Sequence, residues 1–439
     1  METKFLITKC MLRPNEGSSL KEDYDIVRGN PIIDYYESID SPSIGMTVTF
    51  IDIDQVIGRE GITGGEFIDI TVKDGDEDEF KITAEKQKMM LNSVRNMITE
   101  TNKQVATLEF VSVESIINET ARVNKKFTGN VSSTVEELLK TDKKGIQTEK
   151  ELVKDDSANS YSFVGNLKRP FDTIQWLCPK TQSSNNNFGF LFYETIDGYH
   201  FKSIEKLLEQ EPRRYEQSDR QIVGDKILQN KLDQTNDIGM NCRMGMYANR
   251  TIYVDIENQT TNVVDFKVTD LDLAKPLKLL DGIENFPTRL MLRVNDFGVA
   301  QVGAAKSDVQ PESELAVYQN KSYIRNNLLF STSLSISIPL NTTLRAGETI
   351  DVKLPVKQGD GESETDTYGN ENSNDPSGKY IIFQLRHLIG GSKGETQLKL
   401  IRDVFTVDKT GITDTGELIR ADNRQYGNTW PAYNTKTSR

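Results

Sequence analysis

Catalysis and metal binding draw on a small set of side chains, and this sequence is sparing with the most versatile of them. Its 439 residues include two histidines, His200 and His387, and three cysteines, Cys10, Cys178 and Cys242. The cysteines stand far apart, with no CxxC pair and no histidine at metal-ligand spacing. Such a sparse, odd set fits a reducing environment in which each thiol is a small buried hydrophobe. Neither histidine has a visible catalytic partner. Asp74-Gly75-Asp76-Glu77-Asp78, with Glu85, resembles the acidic positions of an EF-hand loop. The sixth position, where the sharp turn needs Gly, is Glu79, and strand-like segments flank the run, so a solvated acidic turn is preferred over a calcium site. Asp296-Phe297-Gly298 spells a kinase tripeptide, but no glycine-rich nucleotide loop or His-Arg-Asp loop precedes it. Gly61-Ile62-Thr63-Gly64-Gly65 lacks the Lys and Ser/Thr that hold phosphate and magnesium. No carboxylate pair stands out as an acid/base dyad, and Arg213-Arg214 after Pro212 reads as a solvated helix-end or loop patch. The expectation is a chain with no catalytic, metal-ligating or cofactor-binding residues, and no enzyme.

The elements that would carry any site are mostly strands. Met46, Val48 and Phe50 alternate with Thr47 and Thr49, and Ile68, Ile70 and Val72 alternate with Asp69, Thr71 and Lys73. This period of two puts one row of side chains in a core and the other in solvent. Pro31–Asp40, Phe80–Thr83 and Ala106–Val111 read the same way, which suggests a small antiparallel barrel or sandwich. From residue 114 the character changes. A short helix is predicted over Ser112–Val123, and Ser133-Thr134-Val135-Glu136 reads as a capping box opening a helix through Leu138 and Leu139. Thr141–Ser157 reads as charged and weakly structured. Pro170 stands at the first turn of another helix, and Phe188–Glu194 folds back across Asp197-Gly198 onto Tyr199–Lys202 as an aromatic hairpin. Strand periodicity returns after residue 240, in Thr251–Ile256, Ile350–Pro355, Lys379–Leu385 and Thr396–Arg402. Glu312–Leu329 reads as a helix, Lys357–Gly378 as a long exposed acidic loop, and the last thirty residues as an extended tail.

At about 150 residues per domain the length suggests roughly three domains. Sixty-six acidic against 53 basic residues give a formal charge of -13, which argues against a broad basic face gripping nucleic-acid backbone. The N-terminus lacks the apolar core of a signal peptide, and no window approaches the ~20 apolar residues of a membrane span.

The order of several segments carries a resemblance. Tyr35-Tyr36-Glu37-Ser38-Ile39-Asp40-Ser41-Pro42-Ser43 followed by Gly64-Gly65-Glu66 resembles the start of the baseplate central hub proteins of T-even-like contractile-tailed phages, of the marine myophage and cyanophage type. The likeness continues through Phe127-Thr128-Gly129-Asn130, Asn166-Leu167-Lys168-Arg169-Pro170-Phe171-Asp172, Gly189–Thr195 with Gly198–Ser203, Gly245-Met246-Tyr247-Ala248-Asn249-Arg250, and Leu344–Glu348 with Ser377–Tyr380. It covers roughly residues 30 to 405. The resemblance implies a β-rich α+β chain with two small antiparallel β-barrel tube domains and inserted mixed α+β segments. The first tube domain would span 1–114 and the second 233–268 plus 341–408. A mixed domain would occupy 115–232, an inserted segment 269–340 and an extended tail 409–439. The implied function is structural: a homotrimeric ring that adapts a threefold central spike to a sixfold tail tube. Its partners would be sister copies, the spike, tube or tube-initiator proteins and baseplate wedge proteins, with DNA only in transit through the lumen. The protein would be made in host cytoplasm and reside in the virion's tail baseplate, and part of its excess carboxylate would line the channel to repel DNA. Two alternatives remain: a glycan-binding or glycan-cleaving tail protein, and a spike-type protein of a contractile injection system.

Overall fold

A computed structural model describes residues 5–74, 78–100, 103–217, 226–234, 237–255, 259–271, 282–294, 312–354, 377–390 and 393–403. The central part of the acidic run near residue 76, the Asp-Phe-Gly tripeptide, nearly all of the 357–378 loop and the tail after 409 lie outside them.

The protein is β-rich, with several sheets and few helices. Among the described residues, fourteen strands join in one antiparallel-dominated sheet whose main path runs Gln229–Gln234, Thr332–Pro339, Lys393–Arg402, Gly378–Gly390, Ile32–Ser38, Gly45–Asp52, Lys103–Ser112, Met89–Glu100, Phe67–Asp74, Phe5–Arg13 and Tyr24–Asp25. The alternation read from the sequence is the alternation of burial. Met46, Val48 and Phe50 are buried on one face of their strand and Leu334, Ile336 and Ile338 on the same face of theirs. These rows meet Leu108, Phe110, Leu398 and Leu400 in a single core that runs beneath both ends of the sheet.

Among the described residues three smaller sheets stand apart. Glu151–Lys154 pairs in parallel with Gly198–Ser203, which pairs antiparallel with Phe190–Thr195. Thr141–Ser157 therefore contains a strand, which the local pattern does not announce because Leu152 and Val153 are only two apolar residues in a charged stretch. The aromatic hairpin forms as expected. Its rings pack with the Pro170–Leu177 helix in a second core. The helix expected to open on Ser133 instead spans Val131–Glu136 and starts from Asn130. Ser133 lies inside it, because the Ser132 N–H is already held by Ser157 Oγ at 2.9 Å. The helix widens into a π turn at Glu137–Thr141, where the Asp142 N–H reaches Glu137 O at 2.8 Å.

Ala248–Asp255, Thr260–Lys267 and Arg289–Val294 form their own three-stranded sheet, covered by the Glu312–Leu329 helix through Ile324 and Leu328. The sequence reading placed the first two of these strands in the second barrel and Thr332–Pro339 in the insertion. The pairing is the reverse, since alternation shows that a segment is a strand but not which strand it meets. Arg213-Arg214, expected in a solvated helix-end or loop patch, is exposed but begins a strand, Arg213–Glu216, that runs parallel to Thr349–Lys353.

Candidate assembly interface

The large sheet is built from one pattern used twice. In the first half the order is Ile32–Ser38, Gly45–Asp52, Lys103–Ser112, Met89–Glu100, Phe67–Asp74. In the second half it is Gln229–Gln234, Thr332–Pro339, Lys393–Arg402, Gly378–Gly390, Thr349–Lys353. The five strands come in the same chain order in both. The long hairpins 89–112 and 378–402 carry the same irregularity, a register shift between Leu91 and Ser93 in one and between Ile382 and Gln384 in the other. Leu91 exchanges backbone hydrogen bonds with Gly65 and Glu66 as Ile382 does with Gly347 and Glu348. Gly65 and Gly347 hold φ at +101° and +85°, a conformation that favours glycine. The duplication is also written in the sequence: Gly65-Glu66-Phe67-Ile68-Asp69-Ile70 matches Gly347-Glu348-Thr349-Ile350-Asp351-Val352.

The two halves meet edge to edge. Gln384–Gly390 pairs antiparallel with Ile32–Ser38, from Gln384 opposite Ser38 to Gly390 opposite Ile32. His387 lies opposite Tyr35, and their rings stack at 6.0 Å with both residues buried. His387 Nδ1 lies 2.9 Å from Thr396 Oγ1. On the opposite face Arg386 Nη2 binds Asp34 Oδ1 at 2.7 Å. Burial, helped by Arg345, pushes the His387 imidazole down to about 3, so the seam is built around a neutral ring. An unfolded histidine protonates near pH 6.5, so the stability of this arrangement is present above 6.5 and is lost as pH falls toward 3. From pH 7.5 to 5.0 His387 should remove about 2 kcal/mol of folding stability. This is read in urea unfolding as the extra pH dependence of the wild type over His387→Phe; equal dependence in both would contradict it.

Two buried ionic groups fix this sheet to the rest of the chain. Glu37 Oε1 accepts from the Ile196 N–H and the Tyr35 hydroxyl, both at 2.8 Å, and Oε2 accepts from the Ala346 N–H at 2.9 Å. One carboxylate thus joins the first half, the aromatic hairpin and the second half. Lys150 Nζ lies 2.6 Å from Glu194 Oε1 and 2.7 Å from Glu114 Oε2, with all three side chains at most 8% exposed. Glu194 Oε2 also accepts from the Ile44 N–H at 3.0 Å, and Glu114 Oε1 from Thr148 Oγ1 at 2.6 Å. Burial opposes the Lys150 charge, but Glu194 and Glu114 outweigh it and hold its ammonium above the usual range.

At its two ends the duplicated pattern is unsatisfied. Met89–Glu100 is paired along one edge by Lys103–Ser112, but among the described residues its other edge has backbone partners only as far as Leu91. Gln229–Gln234 pairs with Thr332–Pro339, and among the described residues its outer edge has no strand partner. Apolar side chains stand exposed on both edges: Met97 at 51% and Ile98 at 60% on one, Leu232 at 39% on the other, beside Leu228 at 47%. Open, apolar strand edges are templates for pairing with another chain.

The sheet face turned away from the core carries charged and hydroxyl side chains alongside the exposed Ile32 and Ile51. A hollow of about 740 Å³ is lined there by Tyr36, Lys231, Ser335, Gln384, Arg386 and Lys399 among others. Its charges are matched. Asp34 pairs with Arg386, Glu109 with Arg95 at 3.0 Å, and Asp233 with Lys231 at 3.0 Å, while Glu395 accepts from Gln397 at 3.1 Å and Lys399 lies over the Phe383 ring. The four carboxylates and four cations named here balance.

His200 stacks on Tyr193 at 4.9 Å with Nε2 3.0 Å from Thr195 Oγ1, and burial pushes its imidazole down to about 4. Cys10 and Cys178 are buried, with their thiols pushed up to about 12 chiefly by burial, whereas Cys242 is only half-buried. No group of three or more His, Cys, Asp or Glu among the described residues could hold a metal ion, and none of their helices is long and apolar enough to cross a membrane. The acidic turn is flanked by the paired strands Phe67–Asp74 and Asp78–Ile82. What sequence reasoning missed is the set of seam and edge residues, and the repeated Gly-Glu-x-Ile-Asp was the signal that could have found them.

No protein-family model and no curated protein sequence matches this chain. Its fold is similar to that of the tail protein from Neisseria meningitidis MC58, with a TM-score of 0.53 at 9% identity over 92% of this chain and 98% of that one. Weaker likenesses include the 43 kDa tail protein of prophage MuSo2 from Shewanella oneidensis, with a TM-score of 0.47 at 8% identity over 91% and 100% of the two chains. Another is an E. coli type VI secretion component described as similar to the bacteriophage T4 tail proteins gp27 and gp5, with a TM-score of 0.42 at 9% identity over 92% and 78%. The chain thus shares its fold with a tail protein.

Proposed function

We propose that this protein is a structural hub of a contractile phage tail baseplate, acting by assembly rather than by catalysis. The observation that carries the reading is the duplicated sheet with two open ends. A chain that holds two copies of one wall and leaves unlike edges at its ends is suited to closing head to tail with copies of itself, and a rotation that closes gives a ring. Three copies make a ring of six similar units around a threefold axis. Such a ring offers six near-equivalent positions to a tail tube on one side and threefold positions to a spike on the other. Each chain contributes eight strands to the wall, four from each half. Twenty-four in all exceed the roughly 16–18 strands that already enclose an aqueous channel.

On this reading the first tube unit takes residues 5–112. The second takes 226–234, 332–354 and 377–403, with the three-stranded sheet as its insertion. The mixed unit near 113–208 packs outside the ring, tied to it through Lys150 and Glu37. The sheet face turned away from the core lines the opening. There, hydroxyl-bearing residues such as Thr47, Thr49, Thr107, Ser335 and Ser337, with self-paired charges between them, leave few free cations to hold DNA phosphate in transit. The spike, the tube or its initiator and the baseplate wedges are the partners, and the virion is the location. Light scattering on the purified chain tests the reading. The expected mass is three times the 49.6 kDa of one chain, and a monomer at every concentration would contradict it.

A further inference from the structure

The seam inside one chain gives a template for the seam between chains, and this deepens the ring reading on which it rests. Residue equivalences follow from shared pairing. Thr49 and Ser337 occupy the same place, because each lies opposite its long hairpin at Thr107 and Gln397, which in turn face Arg95 and Arg386. Ile32 faces Thr49 and Gln229 faces Ser337, so Ile32, Ile33, Asp34 and Tyr35 correspond to Gln229, Asn230, Lys231 and Leu232. At the hairpin tips Gly390 faces Lys393 and Glu100 faces Lys103, so Leu388, Ile389 and Gly390 correspond to Ile98, Thr99 and Glu100. The first hairpin has one residue more than the second between these points, where its register shifts between Arg95 and Ile98. His387 therefore corresponds to the bulged pair Asn96-Met97.

We propose that the Met89–Glu100 edge of one copy pairs antiparallel with the Gln229–Gln234 edge of the next, in the register of the internal seam. Ile98 then lies opposite Lys231, Thr99 opposite Asn230 and Glu100 opposite Gln229. The occupant of each open edge is a second copy of this chain, and three features of the structure favour it. The two edges are the unpaired counterparts of edges that already pair with each other inside the molecule. Their exposed apolar residues correspond to buried ones: Leu232 to Tyr35 at 1% exposure, and the bulge at Met97 to His387 at 0%. The two edges differ, so each contact is head to tail and leaves one edge of each kind free for the next copy, as ring closure requires.

Paired cysteines in the full chain test the register. Ile98→Cys with Lys231→Cys should give covalent dimers and trimers, with no larger ladder, on a non-reducing denaturing gel after oxidation. Either single variant should give none, because the seam brings together residues from unlike edges. The offset pair Ile98→Cys with Gln229→Cys should cross-link at least about tenfold more slowly. A second measurement does not depend on oxidation: Met97→Glu with Leu232→Glu places charge at exposed positions of the folded chain, and should weaken assembly by at least about tenfold, with an unfolding midpoint equal to the wild type's at concentrations where both are dissociated. If light scattering finds an oligomer but the matched pair does not cross-link, or the offset pair links faster, this seam is wrong while the ring stands. A wild-type chain that stays monomeric overturns both.

Discussion

Lys150→Met should lower the stability of the folded chain by about 3–5 kcal/mol, the largest single-residue effect expected in this protein. The ammonium sits between Glu194 and Glu114, and all three side chains are nearly excluded from solvent. Removing it leaves two carboxylates facing each other without a counter-charge, and breaking a buried ionic group from one side costs far more than deleting the whole group. The sequence positions say what is lost. Glu114 begins the helix that follows the first half of the sheet, Lys150 precedes the parallel strand, and Glu194 lies in the aromatic hairpin. The substitution should therefore loosen the mixed unit from the sheet, and be read as a lowered midpoint in urea with faster amide exchange at Ile44, whose N–H is bound by Glu194. Adding Glu114→Gln and Glu194→Gln should restore most of the loss. An unchanged midpoint for Lys150→Met would show that the triad does not fix this joint.

Glu37→Ala should cost at least about 3 kcal/mol, because three buried donors lose their acceptor together and each orphaned group costs about 1–3 kcal/mol. Those donors belong to Tyr35, Ile196 and Ala346, so the loss falls where three parts of the chain meet. Burial, opposed by Arg345 and the three donors, pushes the Glu37 carboxyl up to about 7 from an ordinary 4.5. Here the sign is opposite to that of His387. Between pH 4.5 and 7 the folded state keeps a proton that the unfolded state has released, so stability falls as pH rises through that window, by up to about 3 kcal/mol. Wild-type stability should therefore rise by only about 1–2 kcal/mol between pH 5 and 7, because Glu37 offsets one of the two histidines. Glu37→Gln, which cannot titrate, should lose more stability than the wild type on acidification as the histidines charge. A Glu37→Gln chain with the wild-type pH profile would count against this account.

The parts of the fold that were legible in the sequence are those set by local pattern. Alternation at Met46–Phe50 and Ile68–Val72 placed strands correctly, Asp197-Gly198 placed the hairpin, and Pro170 placed a helix start. Pairing was not legible. Leu334, Ile336 and Ile338 alternate with serines as clearly as any strand in the chain, yet nothing in Thr332–Pro339 shows that it lies between residues 229–234 and 393–402. Glu37, Lys150 and Arg325 look like ordinary surface charges in a chain that is 27% charged. Arg325 is 2% exposed and held by Glu205 at 2.5 Å and Asp403 at 3.3 Å, partners 120 and 78 residues away. Burial of such groups depends on contacts that sequence spacing does not encode. The repeated Gly-Glu-x-Ile-Asp was the exception, a local trace of a long-range fact.

Electron microscopy of the purified full-length chain tests the central claim most directly, because it counts the units around an opening. The duplicated sheet predicts closed rings with a central hole, six similar lobes in projection, and threefold symmetry when the mixed units outside the ring are resolved. Compact particles with no opening, or rings whose lobes are not twice the number of chains, would contradict it.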